Sequence, residues 1–226
     1  MSLDLEKQLC FVSKDDRFLW HVIDKKQYGA YHNNPTNIGI HTACVPLILA
    51  AAILLVRLAM HILLLRRANA LQCTNSPVLI PLPDWLTIPY FPLNLAAFVA
   101  VVYSGFYLLL EPVVGAVLLP IIFGWTVYAN HLTTAYKYNA NAAAIAVEIL
   151  SWILQFIGHG VFEGRAPALL DNLLQSLVLA PFFVFMEVLF KFGYRPELQK
   201  RVEIAVEKEI AKFKAEKAAK SGKKQN

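Results

Sequence analysis

Five stretches of this chain, at about residues 42–65, 93–110, 112–129, 142–162 and 173–192, are apolar for long enough to read as helices in a bilayer. A hydrocarbon core about 30 Å thick takes roughly 20 helical residues to cross. Polar sequence flanks these stretches and divides the chain into three. Residues 1–31 form a polar arm with an amphipathic helix whose apolar face is Phe18, Leu19, Val22 and Ile23. Residues 32–195 form the membrane bundle, and residues 196–226 a basic, solvated tail. The expected fold is all-α: a polytopic transmembrane helical bundle of four to five apolar segments. No internal repeat supports a transporter built from duplicated halves.

Local chemistry sharpens the boundaries. Asn34-Pro35 reads as a helix start, since Asn is a preferred N-cap and Pro suits the first helical position. Glu111-Pro112 separates the second and third segments so narrowly that they should form a tight helical hairpin. Between Arg66 and Pro92, five prolines with Asn69, Asn75 and Asp84 make a connector that carries interfacial aromatics at Trp85, Tyr90 and Phe91. In the fourth segment, at 100° per residue, Glu148, Trp152, Gln155, His159 and Glu163 share an arc of about 80°. A charge in hydrocarbon costs at least ~2.5 kcal/mol, so Glu148 should face the bundle interior and find a partner. Pro181 should kink the fifth segment.

Composition agrees with the pattern: 57% of residues are apolar and 16% charged, and mean hydropathy is +0.48. The net charge of +5 does not point to nucleic acid, because the excess lysines gather after residue 200, where they alternate with Glu at helical spacing. Three scattered cysteines, Cys10, Cys44 and Cys73, indicate neither a disulfide framework nor a zinc ribbon. The charged first thirty residues hold no apolar core of the signal-peptide kind, which places the amino terminus in the cytosol. Four crossings then return the end of the fourth segment to the cytosolic side. A fifth full span would carry the basic tail to the lumen, against the positive-inside rule, so four spans with a kinked or re-entrant fifth segment are expected. The ending Lys223-Lys224-Gln225-Asn226 resembles the dilysine signal read by the machinery that retrieves proteins to the endoplasmic reticulum.

Histidine is scarce, with six copies. His32, His41 and His159 all lie where apolar segments meet polar sequence, and the expected topology puts them at one membrane face. Imidazole suits iron, zinc, copper and nickel, whereas imidazoles joined by a carboxylate, with open positions, suit Fe(II) that activates oxygen. Glu163, four residues after His159, could ligate or orient that imidazole. Read plainly, His41 is an interfacial or capping histidine and His159 a polar contact to Gln155 or Glu163. His131 is a fourth candidate that needs a different topology. His61, among Arg57, Arg66 and Arg67, reads as interfacial, and His21 belongs to the arm. Motifs for a nucleophile elbow, a zincin, a phosphate loop or a dinucleotide site are absent, as are the paired-histidine boxes of membrane desaturases.

Tyr28, His32, Asn37, His41 and Pro46, followed by Gln155-Phe156-Ile157-Gly158-His159 with Glu163, Arg165, Pro167 and Ala168, resemble the small membrane family of 2-hydroxy fatty acid dioxygenases of fungi and bacteria. Gln175, Ala180-Pro181 and Glu187 continue the likeness, which covers about residues 15–195. The resemblance implies a multi-pass protein of the endoplasmic reticulum membrane performing Fe(II)-dependent α-oxidation. A 2-hydroxy long-chain acid from phytosphingosine and sphingolipid breakdown would react with O2 to give the acid one carbon shorter. It also implies Fe2+ held by His32, His41 and His159. A 2-hydroxy acid can chelate iron through its carboxylate and hydroxyl, and its chain would lie between helices among membrane lipid. Arg165, with Glu163 beside it, is the candidate partner of the substrate carboxylate; a structural salt bridge to Glu163 or Asp171 is the alternative.

Two other classes compete with the dioxygenase. A non-enzymatic scaffold or lipid-binding protein would use the polar stripe of the fourth segment only as glue between helices. A metal or proton carrier would use Glu148 and His159 as relay groups.

Overall fold

A computed structural model of the chain describes residues 34–65, 83, 85, 87–164 and 173–200, and beyond them 202–204, 207–208, 210–211 and 215, without the side chains of 57–65 and 173–176. Among the described residues, five helices make up the membrane region: α1 (Pro35–Leu65), α2 (Leu95–Leu110), α3 (Pro112–Tyr136), α4 (Tyr138–Ile157) and α5 (Leu173–Lys191). A π-helical turn, Gly158–Glu163, continues α4. No strand occurs among the described residues. The amino-terminal arm, with its amphipathic helix, and the last residues of the tail lie outside them.

The helices depart from the expected spans in two places. α1, the α3 segment and α4 with its π turn are long and apolar enough to cross a membrane, as Pro35–Val56, Pro112–Tyr136 and Tyr138–Glu163. The second segment is not: α2 has 16 residues and rises about 24 Å, short of the core's ~30 Å. The chain also bends beyond the fifth segment. α5 continues through Pro181, whereas the chain turns by 116° between Leu177–Lys191 and Pro196–Ile204. Gly193 and Arg195 adopt positive φ of 80° and 49° in the connecting turn, a conformation that ends a helix more sharply than an internal proline does. If the bent pair counts as one crossing, the described helices provide four.

Packing divides the chain into two units, Ile40–Gln155 and Met1–Gly39 with Phe156–Asn226. In the first of these, Ala51 and Leu54 of α1, Ala129 of α3 and Ala144 of α4 form a core cluster, flanked by Leu55, Trp125 and Leu132. Small side chains let the helix backbones approach, which is the usual route to helix association in lipid. The Trp125 indole donates to the Ala50 carbonyl at 2.8 Å and so ties α3 to α1. Thr126 and Thr133 satisfy their buried hydroxyls within their own helix, donating to the carbonyls of Ile122 and Ala129 at 2.8 and 3.0 Å. Asn94 caps α2 by accepting from the Ala97 amide at 3.0 Å, and its own amide donates to Asn130 of α3 at 3.3 Å.

The expected hairpin of α2 and α3 is present, and one residue makes it. The Glu111 backbone amide donates to the Tyr107 carbonyl at 3.0 Å and so ends α2. Its carboxylate accepts from the Val114 amide at 2.7 Å and so begins α3, with Pro112 at the first helical position. Gly115 allows the close approach that follows: a Cβ there would meet the backbone of Leu108 and Tyr107 inside van der Waals contact. Backbone atoms cannot swing aside as a side chain can. Gly115→Ala should therefore lower stability by about 1–3 kcal/mol, read as a lower midpoint of thermal unfolding in detergent.

In the unit that contains both chain ends, α5 buries Leu179, Phe182, Phe183 and Met186 on one face and Val184 on the other side. It also holds the first residues of α1 and the π turn of α4.

Candidate functional site

The start of α1 is built as its sequence implies. Asn34 precedes Pro35 and accepts from the Thr36 amide at 2.9 Å through its side-chain oxygen, so one of the free donors of the first turn is satisfied. Asn37, in that first turn, is completely buried, and His41, one turn further along α1, is 3% exposed. Asn37 and His41 thus repeat at the four-residue spacing that puts both on one helix face.

The end of α4 is built differently from expectation. From Gly158 the helix runs as a π turn, with hydrogen bonds to the fifth residue rather than the fourth. Gly164 closes the turn with φ of 64°, its amide donating to the His159 carbonyl. The arc of 80° assumed an α-helical pitch throughout, so it holds for Glu148 to Gln155 and not for Glu163. Gln155 and His159 are buried, at 7% and 3% exposure. Along the same face, the Trp152 indole donates to the Glu148 carboxylate at 3.0 Å. Glu148 therefore finds its partner one turn along its own helix.

Glu163, the last residue of the π turn, reaches the start of α1. One of its carboxylate oxygens accepts from the Asn34 amide at 2.6 Å and from the Asn37 side-chain amide at 3.4 Å. A carboxylate at a helix amino end meets unsatisfied backbone donors and the positive end of the helix dipole, so this placement is favourable. Asn37 thus joins Glu163 in a role that the sequence reading did not assign, although it lies within the Tyr28–Pro46 motif. Neither His32 nor Arg165 is among the described residues.

His131 is set apart. It is exposed near the end of α3 and packs edge-on against Tyr90, with ring centroids 4.9 Å apart, and against Tyr128 at 6.5 Å. Two residues earlier, Ala129 packs on Ala51 of α1, ten residues beyond His41, or about 15 Å along the helix. This aromatic surroundings suits the membrane–water interface. His61 lies in the last turns of α1, whose side chains are outside the described residues, as is His21.

A groove of about 350 Å3 runs between α1, α3 and α4, with Leu47, Ala50, Trp125, Ala143 and Val147 in its wall. Its α1 residues begin at Leu47, about 120° around the helix from His41 at 100° per residue, so it belongs to a different face of α1 from the buried histidine.

Among the described residues, no three or more His, Cys, Asp or Glu side chains gather in a way that could hold a metal ion; that set leaves out His32. The donors that are described fit iron(II) in their chemistry: His41 and His159 are imidazoles withdrawn from water, and Glu163 supplies a carboxylate one π turn from His159. Nitrogen and carboxylate donors of this kind are what non-haem iron takes. Gly164→Ala should lower stability by about 1–2 kcal/mol through backbone strain alone, since nothing lies within 4 Å of the added Cβ. Hydrogen exchange should quicken at the amide of residue 164, which closes the turn around His159.

Comparison with known proteins gives two matches. The family described as 2-hydroxy-palmitic acid dioxygenase Mpo1-like matches residues 24–192. The 2-hydroxy-palmitic acid dioxygenase MPO1 of Saccharomyces cerevisiae is 34% identical over 178 residues, covering 78% of this chain and 83% of the yeast protein. No solved structure matches the chain.

Proposed function

Because the chain belongs to the 2-hydroxy-palmitic acid dioxygenase Mpo1-like family, we propose that it oxidises 2-hydroxy long-chain fatty acids at an iron(II) centre in the endoplasmic reticulum membrane. It is a helical membrane protein and a dioxygenase of 2-hydroxy fatty acids. In the reaction proposed, a 2-hydroxy acid and O2 give the acid one carbon shorter, with the original carboxyl leaving as carbon dioxide and the remaining atoms as water. Its place is the breakdown of phytosphingosine and other sphingolipids, where such 2-hydroxy acids arise.

The observation that supports the metal reading is that each of the two described candidate imidazoles is withdrawn from water, His41 near the start of α1 and His159 in the π turn that ends on Glu163. Imidazole nitrogen is a common ligand of non-haem iron, and a carboxylate beside it suits an iron that activates oxygen. His32, His41 and His159 would hold the iron. Bound there, iron would bring O2 and the hydroxy acid together and draw off charge that develops on the substrate oxygens.

The protein's own groups have three tasks. Glu163 orients the π turn that carries His159, because its carboxylate is anchored on the start of α1. Arg165, two residues on, pairs with the substrate carboxylate through its fixed charge and fork of donors. The apolar helix faces exclude water and accept the acyl chain among membrane lipid, each buried CH2 contributing about 0.8 kcal/mol. The amino terminus lies in the cytosol, and the dilysine ending engages the retrieval machinery.

Purified protein supplied with Fe(II), air and 2-hydroxypalmitate should consume oxygen and release the fifteen-carbon acid, detected by mass spectrometry. His41→Ala and His159→Ala should abolish both signals, whereas His131→Ala should keep them. Uptake of oxygen that does not depend on the hydroxy acid, or no product from the wild type, would reject the assignment. Arg165→Lys should raise the substrate concentration needed for half-maximal rate while leaving iron content unchanged; an equal loss of iron rejects the role given to Arg165.

A further inference from the structure

Asn37 has no place in the reaction as written, yet it is among the most deeply buried polar residues of the chain. We infer that Asn37 is a positioning residue of the iron site, acting through Glu163 on His159. This rests on the reading of His159 as an iron ligand.

The geometry lies within one packing unit. The Asn37 side-chain amide and the Asn34 backbone amide both donate to one Glu163 oxygen, at 3.4 and 2.6 Å. They come from the same end of α1, so the carboxylate is gripped by two donors with a fixed separation. Glu163 closes the π turn, and His159 is the second residue of that turn. The turn is closed from within by the Gly164 amide on the His159 carbonyl and held from outside by the grip on Glu163. A π turn is a rare and poorly self-supporting element, commonly found where function requires it. Without an outside hold it can relax toward the α register, which would shift His159 around the helix. Asn37 supplies part of that hold and is buried because water would compete for the same oxygen.

Groups hydrogen-bonded to a metal-ligating histidine typically change metal affinity by about 10–100-fold when removed, and Asn37 acts one contact further out. The test measures Fe(II) affinity of the full-length protein by competition with a chromophoric chelator, with helix content followed by circular dichroism. Asn37→Ala should weaken iron binding by about tenfold, the lower end of that range. The isosteric Asn37→Asp, which sets a second carboxylate against Glu163, should do the same with helix content preserved, so a folding defect in the alanine variant does not decide the matter. The reversed pair, Asn37→Asp with Glu163→Gln, restores one donor and one acceptor across the contact and should bind iron more tightly than Asn37→Asp alone. Wild-type affinity in both single variants overturns the inference, as does the absence of any gain in the reversed pair. Wild-type protein that takes up no iron overturns it together with the reading of His159, an outcome distinct from the other two.

Discussion

A carboxylate seated on the first amides of a helix ties the polar end of α4 to the polar start of α1. In water such a contact would be worth little, because solvent would serve both partners equally well. At the edge of a bilayer the alternatives are poorer: every backbone amide must be satisfied, and a carboxylate moved toward hydrocarbon costs several kcal/mol. Glu163 answers both demands with one oxygen. The buried Asn37 and His159, and the π register between Gly158 and Glu163, are arranged around that contact.

Elsewhere the chain handles interior polarity with short-range devices. Thr126 and Thr133 return their hydroxyls to their own helix, Trp152 serves Glu148 from one turn away, and Trp125 borrows a backbone carbonyl of α1. These groups are consumed by the structure. His41 and His159 differ in kind, being titratable groups that are nonetheless buried.

Much of the fold could be read from the sequence where the signal was local. Asn34-Pro35 announced the start of α1 through capping chemistry, and Glu111-Pro112 announced the hairpin. Hydropathy alone overstated α2, because an apolar stretch can run past Asn94 to Leu93 while the helix itself starts only after Asn94, its cap. The bend after α5 was not announced by hydropathy; it falls at Gly193 and Arg195, whose positive φ breaks the helical path. The π turn was hidden because its hydrogen-bond register is not a property of residue pattern; Gly158 and Gly160 were its faint trace. The candidate site was legible in its residue types, whereas the grip of Asn34 and Asn37 on Glu163 joins residues more than a hundred positions apart and follows only from packing.

Glu111 does two jobs at one position, ending α2 and opening α3, and this leaves the hairpin with no slack. A helix of sixteen residues has too little greasy length to hold its own station across a lipid leaflet pair. Welded end to end onto a longer neighbour, with Gly115 letting the backbones touch, α2 takes its depth and tilt from α3 and need not be anchored independently.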